Sequence, residues 1–368
     1  MRPHVDQRQA RVLALVRARG SARVADLARE LGISPVTLRR DVEAMAARGE
    51  IQRMHGVISR LESGRAGTEA GRGADSGRGP GAGRGGGLVI GMVVPTTEYY
   101  YADVVRGARE VVEARGARLT VGLTRYLAGE DRTQADRLLS TGADGLLLTP
   151  NWEAGAPGPG EGAWTAGLPV PTVLVERWAP PGHPAASLDR VASDHAEGAA
   201  RAVRHLAELG HERIALASRE TPTSGRLRTG FAAAVAALGL KQAPAWPAAG
   251  AASLAEAEAF ARTLDYLYDA VTEGGVTAAL IHSDTDAIML IPRLQARGVR
   301  VPEDLAVITY DDEVAGLADV PLSAVAPAKR EVGARAAGML LDRLEDRGAG
   351  REGLRQHLDL LPRLTVRP

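Results

Sequence analysis

The sequence predicts an α/β protein in two parts: a small basic head with a winged helix-turn-helix, and a large body of two lobes built on parallel sheets. Three observations predict this. Residues 1–62 hold three short amphipathic helix patterns and then a hairpin pattern, with 12 Arg against 7 Asp and Glu. Residues 63–87 contain no Leu, Ile, Val, Phe or Met and are crowded with glycine. From Leu88 onward, short apolar β-rich runs alternate with amphipathic helices, which is the pattern of βαβ units.

In the head, Val5 to Arg19 reads as the first helix. Val12, Leu13, Leu15 and Val16 recur at near-helical spacing, and Gly20 is the stop. Ala25 to Leu31 is a second short helix that ends at Gly32. Ser34 is a good N-cap, and Pro35 sits at the first helical position, where its missing N–H costs nothing. The third helix runs from Pro35 to about Arg48 and turns Val36, Leu38, Val42 and Met45 inward. Helix, glycine-containing turn, helix is the helix-turn-helix arrangement.

The third helix leaves Thr37, Arg39, Arg40 and Glu43 off its apolar stripe. Such a helix enters a DNA major groove about 12 Å wide. Ser34 and Thr37 suit phosphates or base edges. Arg39 or Arg40 can fork onto guanine, at about 1–3 kcal/mol of discrimination. "EIQRMHGVISR" then reads as a hairpin wing with Gly56 at its turn, and Arg53, His55 and Arg60 are its phosphate-contact candidates.

In the body, "LVIGMVV", "RLTVGL", "GLLLT", "PTVLVE", "RIALAS", "TAALIH" and "DLAVITY" are buried-strand patterns. A helix is expected from about Ala102 to Arg115, and others over "HAEGAARAVRHLAELG" and "SLAEAEAFARTLDYLYDAV". Residues 88–368 are too many for one comfortable sheet, so two lobes are expected. Ligands of such folds sit beyond the C-terminal ends of the strands. This body is acidic, with 29 basic against 36 acidic side chains. A basic module on an acidic body suits a polyanion-binding head.

The composition also excludes several classes. The chain has no cysteine, so disulfides and thiolate metal sites are out. No run of about 18 apolar residues reads as a membrane span. The charged opening "MRPHVDQRQARVLALVRARG" lacks the apolar stretch of a signal peptide, so a cytoplasmic protein is expected. No Walker lysine, GxGxxG, GxSxG or HExxH appears in a supporting context. His282, Ser283 and Asp284 are neighbours in sequence, but a triad is a matter of geometry. The reading is therefore a non-enzyme without cofactor or metal. An enzyme with an accessory DNA-binding head and a sugar-binding protein of the secreted kind are the alternatives.

The stretch "VADLARELGISPVTLRRDVEAMAARGEIQRMHGVISR" resembles the winged helix-turn-helix of DeoR-type bacterial regulators, although Gly56 is followed by Val57 where that family usually has a second glycine. "SLDRVASDHAEGAARAVRHLAELGHERIALAS", "VPEDLAVITYDDEVAGLADVPLSAVAP", "ADGLLLTP", "VPTVLVER" and "HLDLLPRLTVRP" resemble the effector domain of the lac-repressor/galactose-repressor family. That resemblance implies a periplasmic-binding-protein-like fold with one small molecule between two lobes.

It also implies site residues. Asp284 stands where the family has an Asn-Asp pair, Asp194 matches a similarly placed Asp, and Glu176 follows "VLV" where Asp is common. The first loop supplies Tyr99, Tyr100, Tyr101 and Asp103, and Trp246 falls near an aromatic that closes the ligand site. The family carries an Arg three residues before the Gly of "RxxGF". Here Leu227 occupies that place, flanked by Arg226 and Arg228, so either arginine or neither meets the ligand.

The resemblance implies a regulator, with repression expected. Its partners would be double-stranded operator DNA and a small effector of the sugar class, and it would act as a homodimer without membrane contact. Lac-repressor-type proteins join head and body by a short hinge helix that enters the minor groove. The glycines of residues 63–87 resist helix formation, and no apolar side chain there could wedge between bases. A flexible tether spanning about 25–30 Å is expected instead.

Overall fold

The computed structural model describes residues 87–152, 155–245, 256–351 and 353–368, together with Val12, Leu15 and three strands of the head. The chain divides into two units, Met1–Ala82 and Gly83–Pro368. In the first, β1 (Ser21–Arg23), β2 (Ile51–Met54) and β3 (Val57–Arg60) form an antiparallel sheet in the order β1-β3-β2. Ile51 pairs with Arg60 and Met54 with Val57, which is the hairpin expected of the wing. β1 is an addition the sequence pattern did not suggest. Val12 of the first expected helix is fully buried. Ser34, Thr37, Arg39, Arg40 and His55 lie outside the described residues, as do the side chain of Arg53 and the tether as far as residue 86.

The second unit has two lobes. The first is a six-stranded parallel sheet made of β4 (Val89–Val94), β5 (Arg118–Leu123), β6 (Gly145–Leu148), β7 (Thr172–Val175), β8 (Asp189–Ser193) and β13 (His357–Leu360), in the order β13-β8-β7-β6-β4-β5. The second sheet holds β9 (Ile214–Ser218), β10 (Ala278–His282), β11 (Ala306–Tyr310) and β12 (Ser323–Ala326), all parallel, with β14 (Arg363–Thr365) antiparallel at its edge. The chain changes lobe three times: after Ser193, between Ala326 and Lys329, and between Leu360 and Arg363.

Helices cover both faces of each sheet, because successive strand residues point to opposite sides. Met92 and Leu147 face α1 (Tyr100–Ala114) and α7 (Lys329–Gly348), whose Val104, Ala108, Val332 and Leu340 complete one core layer. Val93, Leu146 and Leu148 face the other way, toward Leu138 of α2 (Glu130–Ser140) and Trp152. In the second lobe, Leu280 packs with Ala202 and Leu206 of α3 (His195–Glu208) and Leu227 of α4 (Ser224–Ala237). Ile281 packs with Leu267 of α5 (Glu256–Thr272) and Leu290 of α6 (Asp284–Ala296).

β8 is a charged strand inside this frame. The buried carboxylate of Asp189 takes Arg343 at 2.8 Å, Arg355 at 3.0 Å and the Gln356 N–H at 2.8 Å. Arg190 pairs with Asp359 of β13 at 2.8 Å. Pairing and hydrogen bonding make these charges tolerable below the surface. Among the described residues, no helix is long and apolar enough to cross a membrane.

Candidate functional site

A cavity of about 190 Å³ opens between the two lobes of the second unit. Residues that follow strands line it. Tyr99, Tyr100, Tyr101 and Tyr126, with Glu176 and Arg177, come from the first lobe. Opposite them stand His195, Arg219, the segment Thr221–Thr223, His282, Ser283, Asp286 and Asp311. Four lining residues hold left-handed backbone conformations: Tyr99 at φ 49°, Tyr126 at 58°, Glu176 at 54° and Asp311 at 88°. Such conformations cost on the order of 1–3 kcal/mol each and gather at functional sites.

Glu176 is the centre of the first-lobe wall. Its carboxylate accepts from the Tyr100 hydroxyl at 2.7 Å, from the Ser193 hydroxyl at 2.9 Å and from the Ser193 N–H at 3.0 Å. His195 Nε2 lies 3.4 Å away, and its Nδ1 meets the Tyr310 hydroxyl at 3.1 Å. Burial would raise the Glu176 carboxyl, but His195, Tyr100 and Ser193 together hold it below its ordinary value. Gly198 leaves the room this network needs, since a Cβ there would stand 2.3 Å from the Tyr310 hydroxyl.

Asp284 is the centre of the opposite wall, and it is fully buried. Its Oδ2 accepts the backbone N–H groups of Glu313 at 2.6 Å, Val314 at 2.7 Å and Ala315 at 3.1 Å. Its Oδ1 accepts from the Tyr99 hydroxyl, which reaches across from the first lobe. Nearby, burial and then the field of His195 push the His282 imidazole down to about 4. Burial raises Asp311 to about 6, against the pull of Lys329 and His195. Burial likewise raises the phenols of Tyr99, Tyr100 and Tyr101, so all three remain hydrogen-bond donors.

Two lining residues present buried polar atoms without a partner. Arg177 gives its Nε to the Pro150 carbonyl at 2.6 Å, and its Nη1 to the Glu176 carbonyl at 2.8 Å and the Tyr101 hydroxyl at 3.3 Å. Its Nη2 has none. Asp286 accepts from Arg219 Nε at 2.8 Å through Oδ2, and its Oδ1 has no partner. Each lobe thus contributes one buried, unpartnered polar atom from a residue that lines the cavity.

Of the residues expected from the sequence, Tyr99, Tyr101 and Glu176 line the cavity. Asp284 lies beneath it and spends its oxygens on the protein. Asp194 caps α3 by accepting from the Glu197 N–H at 3.0 Å. Asp103 is a surface partner of Arg106 at 2.6 Å. The Arg226 guanidinium lies 4.7 Å over the Trp178 ring, and Arg228 pairs with Glu220 at 2.8 Å, so neither lines the cavity, while Leu227 is wholly in the core. Trp246 lies outside the described residues. Arg177 and Asp286 were missed. The signals were there: a cation directly after the strand "PTVLVE", and a second carboxylate in "HSDTDA". Among the described residues, no group of three or more His, Asp or Glu is placed to hold a metal.

Comparison with known proteins agrees with this geometry. A model of the DeoR-like helix-turn-helix domain matches residues 8–63, and a model of the periplasmic binding protein-like domain matches residues 203–367. The transcriptional repressor PurR of Vibrio cholerae is 27% identical over 288 residues, which are 76% of this chain and 80% of PurR. The arabinose metabolism transcriptional repressor of Geobacillus stearothermophilus is 28% identical over 274 residues, 72% of each chain. A solved LacI family transcriptional regulator from Mycobacterium smegmatis superimposes with a TM-score of 0.58 at 26% identity, covering 75% of this chain and 97% of that one. The chain thus carries a DeoR-like helix-turn-helix domain and a periplasmic binding protein-like domain, and over about three quarters of its length it is similar to bacterial transcriptional repressors and to solved LacI family regulators.

Proposed function

We propose that this protein is a cytoplasmic repressor whose affinity for an operator is set by one small polar molecule, a sugar or sugar derivative, seated between the two lobes. The observation that carries the reading is the lining of the cleft. Tyrosine rings offer flat apolar surfaces on which a sugar face can stack. Carboxylate and guanidinium groups beside them accept from and donate to hydroxyls. The names of relatives, including an arabinose metabolism repressor, support the same class.

DNA contact is assigned to Ser34, Thr37, Arg39 and Arg40 on the recognition helix and to Arg53 and His55 on the wing. A homodimer would read two half-sites. Self-association is supported by the exposed Leu209, Leu317 and Val320, which line one apolar groove of the second lobe with Ile288 and Ile291. The effector acts by binding one arrangement of the lobes more tightly than another. A ligand with equal affinity for both would shift nothing.

A gel-shift titration with DNA from upstream of its own gene tests the reading. Binding should fall steeply with salt, as phosphate contacts require. Absence of salt-sensitive binding would remove the regulator function.

A further inference from the structure

We infer that Arg226 is a positioning residue of the cleft: seated on Trp178, it completes a clasp between the lobes that sets how often the cleft opens. The clasp stands apart from the effector reading; only its use in controlling effector entry rests on that reading.

The clasp consists of two contacts between the same two pieces of structure. On the first lobe, Trp178 directly follows the lining residues Glu176 and Arg177, and its N–H is held by the Gly155 carbonyl at 3.1 Å. On the second lobe, Pro222 belongs to the lining segment, and Arg226 follows in the first turn of α4, its N–H on the Thr223 carbonyl at 3.1 Å. The first contact is the Arg226 guanidinium, 4.7 Å over the Trp178 ring. The second is Gly155 against Pro222, so close that a Cβ on Gly155 would stand 2.1 Å from the Pro222 carbonyl oxygen. Gly155 also holds φ 71°, so both its backbone and its neighbour require glycine.

The partners are committed to this contact. The Trp178 ring is buried, with His195 edge-on at 5.8 Å and Arg190 at 5.9 Å, so it is a fixed platform. Arg228 is spent on Glu220, but among the described residues Arg226 pairs with no carboxylate. What holds its cation is the indole face, whose quadrupole attracts a guanidinium. Opening the clasp separates Thr221–Thr223 from the wall that carries Glu176 and Arg177, and these line the cavity from facing lobes. The family position expected to meet the ligand is thus filled by Leu227, and its neighbour Arg226 joins the cleft walls instead.

The chain contains no cysteine, so Ser283→Cys places a single thiol on a cavity-lining residue. Its rate of reaction with a maleimide, measured in the full chain, tracks the open population when reclosing is fast. Adding Arg226→Met should raise this rate by about 3- to 10-fold, the weight of one partly exposed cation–π pair. Gly155→Ala cannot seat against Pro222 and should raise it by at least about tenfold. Arg226→Lys keeps a cation over the ring and should stay within about twofold of the parent. The increases should hardly vary with urea below the unfolding transition, because local opening exposes little surface. Thermal melts establish that the variants are folded; if Gly155→Ala is not, the two Arg226 variants decide. Unchanged rates in Arg226→Met and Gly155→Ala overturn the proposal. So does a lysine variant as reactive as the methionine one, or a steep urea dependence, which would mark global unfolding. None of these results bears on the regulator reading, which the gel-shift titration decides.

Discussion

Replacing Asp284 by alanine should destabilise the fold by at least about 3 kcal/mol, before any ligand is considered. One oxygen of this buried carboxylate serves three backbone N–H groups, those of Glu313, Val314 and Ala315 at 2.6–3.1 Å. Truncation strands all three, and each unsatisfied buried donor costs about 1–3 kcal/mol. The Tyr99 hydroxyl loses its acceptor as well. Asparagine keeps one oxygen for the three N–H groups and turns its amide toward the Tyr99 oxygen, so Asp284→Asn should cost only about 1–2 kcal/mol, the loss of charge assistance. Urea unfolding followed by circular dichroism measures both values. An alanine variant within about 1 kcal/mol of the wild type, roughly the error of such comparisons, would refute this view of Asp284 as the anchor of the 313–315 turn. The same reasoning bears on function. Loss of effector response in Asp284→Ala would not identify a ligand contact, since the residue organises the wall on which the ligand rests.

Three further outcomes are expected. His282→Asn should remove an acid sensitivity. The unfolded imidazole takes its proton near pH 6.5 and the folded one only near 4, so the wild type loses stability relative to the variant as pH falls between these values, by up to about 3 kcal/mol; parallel pH–stability curves would contradict this. The raised Asp311 acts in the opposite sense, relieving its burial cost as pH falls through about 6; its Oδ2 lies 3.8 Å from His282 Nε2, so the comparison is repeated in an Asp311→Asn background to separate the two. Gly107→Ala should part α1 from α7, because its Cβ would stand 1.9 Å from the Arg330 carbonyl oxygen; a loss of about 1–3 kcal/mol is expected for such overpacking, and an unchanged melting temperature would refute the contact. Arg39→Ala and Arg40→Ala should weaken operator binding while leaving effector affinity intact, as read by fluorescence anisotropy and calorimetry; unchanged operator affinity would move the recognition surface elsewhere.

The βα rhythm of the body was legible because strands such as "LVIGMVV" and "TAALIH" are nearly continuous apolar runs, as sheets covered on both faces require. β8 escaped the same reading. "DRVAS" opens with two charges whose partners, Arg343, Arg355 and Asp359, lie more than 150 residues away. The edge strands β13 and β14 are only three or four residues long, with exposed residues in both, and carry little pattern. At the site, the residue types were legible but their tasks were not. Asp284 and Asp286 sit two positions apart at the start of one helix, yet one serves backbone N–H groups and the other keeps an oxygen open. Arg226 and Arg228 were alternatives offered by the family resemblance, and the fold places them on Trp178 and Glu220. Such divisions of labour depend on which groups arrive from the other lobe, and a local sequence window does not contain them.

The most direct measurement is the affinity of the full chain for DNA from upstream of its own gene, read by fluorescence anisotropy with and without a free sugar shown by calorimetry to bind the cleft. The sugar should change the DNA affinity by at least about tenfold, a coupling of roughly 1.4 kcal/mol. A sugar that saturates the cleft and leaves DNA affinity unchanged would contradict the reading of this protein as an effector-controlled repressor.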